Sequence, residues 1–93
     1  MVKYTKPMFM KILFSLTFLL LQEVPMTKLY EFLTQYCLDH RMISMAARNR
    51  GDRYELFVTL KAEIDKDDFY NMLKNFEGVE NLRMERSDNL TRL

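Results

Sequence analysis

The run Ile12-Leu13-Phe14-Ser15-Leu16-Thr17-Phe18-Leu19-Leu20-Leu21 decides how the rest of the chain can be arranged. As a strand, it puts Ile12, Phe14, Leu16, Phe18 and Leu20 on one face and Leu13, Ser15, Thr17, Leu19 and Leu21 on the other. Both faces are largely apolar, which is the pattern of a central strand. Ser15 and Thr17 among Phe and Leu suit a pleated surface. Lys3, Lys6 and Lys11 ahead of the run also fit the basic and apolar regions of a signal segment. The sequence Gln22-Glu23-Val24-Pro25-Met26 offers no small-x-small cleavage site, and the run is about half the length of a membrane-spanning helix. The strand is the reading carried forward. The rival is a small exported or membrane-associated protein with residues 1–22 as signal or anchor.

Working outward, Pro25 ends the strand and Thr27 is the expected N-cap of a helix. Leu29, Phe32, Leu33, Tyr36 and Cys37 form one apolar stripe, and the helix is expected to stop near His40 or Arg41. A short strand over Met42–Arg48 should follow, with Ile43, Met45 and Ala47 on one face. Asn49-Arg50-Gly51-Asp52 reads as a turn with Gly51 free to take φ > 0. Arg53–Lys61 alternates: Tyr54, Leu56, Val58 and Leu60 face one way, and Arg53, Glu55, Phe57, Thr59 and Lys61 the other.

Asp65 is placed to cap a second helix, with Asp67 and Asp68 in its first turn, where the dipole favours acids. Ile64 and Phe69 form a hydrophobic staple, and Phe69, Met72, Leu73 and Phe76 the buried stripe. Gly78 is expected as the left-handed residue ending this helix. Val79–Arg86 reads as a last strand, with Leu82 and Met84 inward.

The order is β-α-β-β-α-β. Two split βαβ units with single-stripe helices make an α+β ferredoxin-like sandwich: a four-stranded antiparallel sheet with two helices on one face. Residues 12–86 form one domain, with 1–11 an N-terminal arm and 87–93 a C-terminal tail.

The composition limits the chemistry. The 93 residues are 48% hydrophobic and 29% charged, enough for one small core. Lys and Arg number 14 against 13 acids, so no global field favours nucleic acid. Residues 1–50 carry seven basic and three acidic residues, and 51–93 carry seven basic and ten acidic. A single Cys excludes an internal disulfide and a multi-Cys zinc site. Two glycines leave no Gly-rich phosphate loop.

Each candidate cluster also has a plain structural explanation. Cys37 and His40, three apart on the expected helix, would need two further metal donors. Cys37 reads instead as a small core hydrophobe. The eight Met are scattered and suit gap-filling. Arg41, Arg48, Arg50 and Arg53 surround the second hairpin, where solvated side chains are the default, and the aromatic pattern of an RNA-binding sheet is missing. Asp65, Asp67 and Asp68 lack the spacing of a calcium loop and are explained by capping. No catalytic residue, metal site or cofactor is expected.

The stretch Arg53-Tyr54-Glu55-Leu56-Phe57-Val58-Thr59-Leu60-Lys61, followed by Ile64-Asp65 and a helix ending Phe76-Glu77-Gly78-Val79-Glu80-Asn81-Leu82, resembles an ACT-like domain. It is similar above all to the soluble C-terminal domain of MgtC/SapB-type membrane proteins. The resemblance covers residues 12–86 and is sharpest over 53–84. Ligand-binding ACT domains carry Asp-x-Pro-Gly after the first strand; here Glu23-Val24-Pro25-Met26 keeps the Pro and lacks the Gly. The resemblance implies a small ligand bound at a dimer seam. Together with the uncovered sheet face, it leads to the expectation of a non-enzymatic regulatory or oligomerisation module, cytoplasmic unless residues 1–22 act as a signal or anchor.

The sheet face without helices should carry the function. It collects Leu13, Leu19, Leu21 and Phe57 beside Thr59, and an uncovered apolar patch of this kind marks an interaction site. Leu19, Leu21 and Phe57 are expected to form one patch, covered by a second copy of the chain or a partner domain.

Overall fold

A computed structural model of the protein describes residues 12–87. The elements are β1 (Leu13–Leu21), α1 (Met26–Tyr36), β2 (Cys37–Ala47), β3 (Gly51–Leu60), α2 (Lys66–Lys74) and β4 (Val79–Arg86). All four strands join one sheet in the order β2-β3-β1-β4, and every pairing is antiparallel. This is the ferredoxin-like α+β sandwich. The expected arm 1–11 lies outside the described residues, as does the tail beyond Ser87. Ser87 itself donates its backbone N–H to the Leu13 carbonyl at 2.8 Å.

The run from Leu13 is the strand around which the sheet is built. Phe14, Leu16, Phe18 and Leu20 are buried, while Leu13, Ser15, Thr17, Leu19 and Leu21 on the other face are half-buried. Leu16 and Phe18 are at most 1% exposed, and each such side chain contributes roughly 1.5–3 kcal/mol of burial. Leu29 and Leu33 of α1, Leu56 and Val58 of β3, and Phe69 and Leu73 of α2 complete the core. Phe32 joins the helices: its ring lies 5.0 Å from Tyr36, 6.0 Å from Phe69 and 5.2 Å from Phe76.

Helix α2 starts as its sequence dictates. Asp65 accepts from the backbone N–H groups of Asp67 at 3.0 Å and Asp68 at 3.1 Å. These satisfy two of the donors every helix start leaves open.

Four local expectations are corrected. Helix α1 starts at Met26 with Pro25 as N-cap, and no side chain caps it. Thr27 therefore lies inside the first turn; Pro25, at φ −71°, already holds the entry geometry. The helix ends at Tyr36 rather than near His40, and Cys37 turns the chain to extended geometry in one residue (φ −115°, ψ 140°). Gly51 has no positive φ and belongs to β3. A Cβ there would overlap the Leu20 carbonyl oxygen, so the position needs glycine for close backbone approach. Gly78 does have positive φ, +92°, but lies beyond α2, whose C-cap is Asn75. It sits in the turn closed by Val79 N–H to Phe76 O at 3.1 Å, and a Cβ there would strike Val24.

Candidate functional site

Helix α1 lies against β2 and α2 against β4, both on one side of the sheet. Cross-strand partners share a face, so the register gives the composition of the uncovered side. Asp39, Thr59 and Leu13 form its first row. Arg41, Phe57, Ser15 and Glu85 form the second; Ser44, Glu55, Thr17 and Arg83 the third; Ala46, Arg53, Leu19 and Glu80 the fourth.

The five residues expected at an interface are therefore divided. Leu13, Phe57 and Thr59 come together, with Asp39 and Arg41, around a depression of about 250 Å³. Leu19 lies two rows from Phe57, beyond the polar Thr17–Glu55 pair. The expected single patch of Leu19, Leu21 and Phe57 is thus replaced by a short apolar end, a polar middle and a basic end. The register causes this: Phe57 pairs with Ser15, and Leu19 with Arg53. Leu13, Leu19, Leu21 and Phe57 are half-buried, and Thr59 is only 6% exposed.

More exposed apolar surface lies on the edge strand β2. Leu38 is 62% exposed, Met45 54%, Ile43 42% and Met42 39%. Two register shifts, between Cys37 and Asp39 and between Met42 and Ser44, frame a regular ladder over Asp39–Met42. These shifts take Ile43 out of the expected row with Met45 and Ala47, and they place Leu38 at a bulge.

Cys37 and His40 both lie on β2, not on a helix. Cys37 is buried, and its burial pushes the thiol up to about 12. The His40 ring stacks on Tyr30 with centroids 5.4 Å apart. Among the described residues no group of three or more His, Cys, Asp or Glu side chains could hold a metal ion, and no helix is long and apolar enough to cross a membrane.

At the basic end, Arg48, Arg50, Arg53 and Arg83 line a concavity of about 450 Å³. The sequence marks the hairpin arginines but places Arg41 among them; Arg41 belongs to the opposite end, and Arg83 arrives from β4.

No family model matches the chain, and neither a curated protein nor a solved structure matches it.

Proposed function

We propose that the protein is a non-enzymatic association module of ACT-like type, in which a second copy pairs along the outer edge of β2. The sheet then continues across a two-fold axis as eight strands. The observation that carries this is the self-complementarity of Leu38-Asp39-His40-Arg41-Met42 on that edge. Antiparallel pairing about His40 sets Asp39 opposite Arg41 of the second copy, a contact made twice, and brings the exposed Leu38, at its bulge, towards the second copy's Met42. A two-fold interface requires such matching of a surface to itself. Both charges and both apolar side chains are exposed in the single chain. Edge strands with long apolar side chains are templates for pairing, and the regular Asp39–Met42 ladder is where the bulges leave the edge straight. The resemblance to regulatory domains supports a role without chemistry, as does a thiol held far from its nucleophilic form.

The test is molar mass by light scattering after size exclusion. The wild type is expected at twice the chain mass. Arg41→Asp sets acid against acid and should give a monomer. Adding Asp39→Arg in the same chain should restore the dimer. A wild type that stays monomeric at high concentration overturns the proposal. So does a dimer that survives Arg41→Asp and dissociates on replacing Leu19 and Phe57 by Lys, which would place the seam on the open face.

A further inference from the structure

The arginines of the concavity at the basic end of the open face come from two stretches of chain, 48–53 and β4, on either side of β1. Arg48 and Arg50 come from the β2–β3 hairpin, Arg53 from β3 and Arg83 from β4. Their guanidinium groups stay charged at any physiological pH. Thr17, Asn49 and Asn81 add neutral hydrogen-bonding groups, and no carboxylate is among the lining residues. Two acids nearby answer two of the four charges. Arg50 Nη2 meets both Glu80 oxygens at 2.7 and 2.9 Å, and Arg83 Nη2 meets Glu85 at 2.9 Å. Arg48 spends one contact on the Ala47 carbonyl at 3.1 Å, and Arg53 has no hydrogen-bond or ion-pair partner among the described residues.

A second feature points to the same place. Asn81 is the one non-glycine residue with positive φ among those described, at +56°. It sits where the β1–β4 register shifts between Thr17 and Leu19. A bulge of this kind re-aims side chains, and Asn is among the few non-glycine residues that readily take the left-handed backbone it needs. Here it brings Asn81 into the lining beside Arg83.

We infer that this concavity binds a compact polyphosphate, free or as the di- or triphosphate of a small organic molecule. Guanidinium forks match phosphate oxygens two at a time, and one phosphate seldom satisfies more than two of them. With Arg48 and Arg53 engaged by one phosphoryl group, a second one linked to it is needed to reach Arg50 or Arg83 beside their Glu80 and Glu85 pairs. The volume falls within the range of roughly 300–1,000 Å³ typical of small-ligand sites. A nucleic-acid strand would track a longer basic groove with stacking aromatics. Phe57 lies two rows away, and Phe18 in the lining is 1% exposed with its ring against Tyr54, 5.8 Å distant.

The inference is independent of pairing along β2, since Leu38 and Met42 are not in the lining. Isothermal titration of the full chain with tripolyphosphate, with ATP and with a single-stranded 20-nucleotide RNA tests it. Saturable binding of tripolyphosphate or ATP, one per chain, is expected, weakened at least about tenfold by Arg53→Gln and again by Arg83→Gln. Tripolyphosphate binding as tight as ATP would assign recognition to the phosphates alone; tighter ATP would add its nucleoside. Circular dichroism of the variants should match wild type, because both side chains are exposed. The Arg41→Asp variant should bind as wild type does, separating this outcome from the oligomeric one. No saturable binding of either polyphosphate, tighter binding of the RNA than of ATP, or unchanged binding by both Gln variants overturns the inference.

Discussion

The Leu20 carbonyl oxygen occupies the space where a Cβ on Gly51 would stand. The contact is backbone against backbone at the end of the paired strands β1 and β3, where Leu21 aligns with Gly51. Neither side can swing away as a flexible side chain would. Gly51→Ala is therefore expected to lower stability by about 3 kcal/mol, the upper part of the overpacking range. A urea midpoint unchanged from wild type would contradict this close approach.

Phe18 tests whether β1 is the centre of the sheet. Its side chain is 1% exposed and belongs to the apolar core. Phe18→Asp buries a lone carboxylate, so the purified variant should show no cooperative thermal transition. A melt like that of wild type would mean that residues 13–21 do not form the central strand.

Asp65 gives a graded prediction. It satisfies two N–H groups at the start of α2, so Asp65→Ala should cost about 1 kcal/mol, and Asp65→Asn much less, since its amide oxygen still accepts. Equal losses for both variants would mean that the carboxylate charge, not the cap, is what counts.

Cys37 links stability to alkaline pH. Burial raises its thiol to about 12 from an ordinary value of 9.0. The folded chain keeps the proton that the unfolded chain releases, so stability is complete below about pH 9 and falls as pH climbs towards 12. Tyr54 is shifted upward too, by burial first and then by Asp52, and adds to the decline at the top of that range. Denaturation midpoints between pH 8 and 11 should fall for wild type and fall less steeply for Cys37→Ala. Parallel curves would exclude the thiol as a source.

The order of elements and the two faces of β1 and β3 are legible because period-two alternation there is uninterrupted. The α1–β2 boundary is not. Cys37 continues the spacing of the Leu29–Tyr36 stripe and is buried like it, so a helix pattern persists one residue into the strand. Bulges at Leu38 and Ile43 then break the alternation of β2, so its first half resembles neither element. The basic concavity is half legible. Arg48, Arg50 and Arg53 are neighbours in sequence, but Arg83 and Asn81 join them only through the β1–β4 pairing. No local spacing encodes that meeting.

The sheet order has a consequence for how the protein is made. β1 pairs with β3 on one side and β4 on the other, and the Phe14–Arg86 pair joins opposite ends of the described chain. During synthesis β1 leaves the ribosome before β3 and β4, so it is enclosed on both sides only once β4 has emerged. Until β4 emerges, β1 presents a bare apolar border to every other nascent chain nearby. Its assembly is governed by long-range closure rather than by local helix formation, so the interval before β4 is released is when the chain most needs a chaperone.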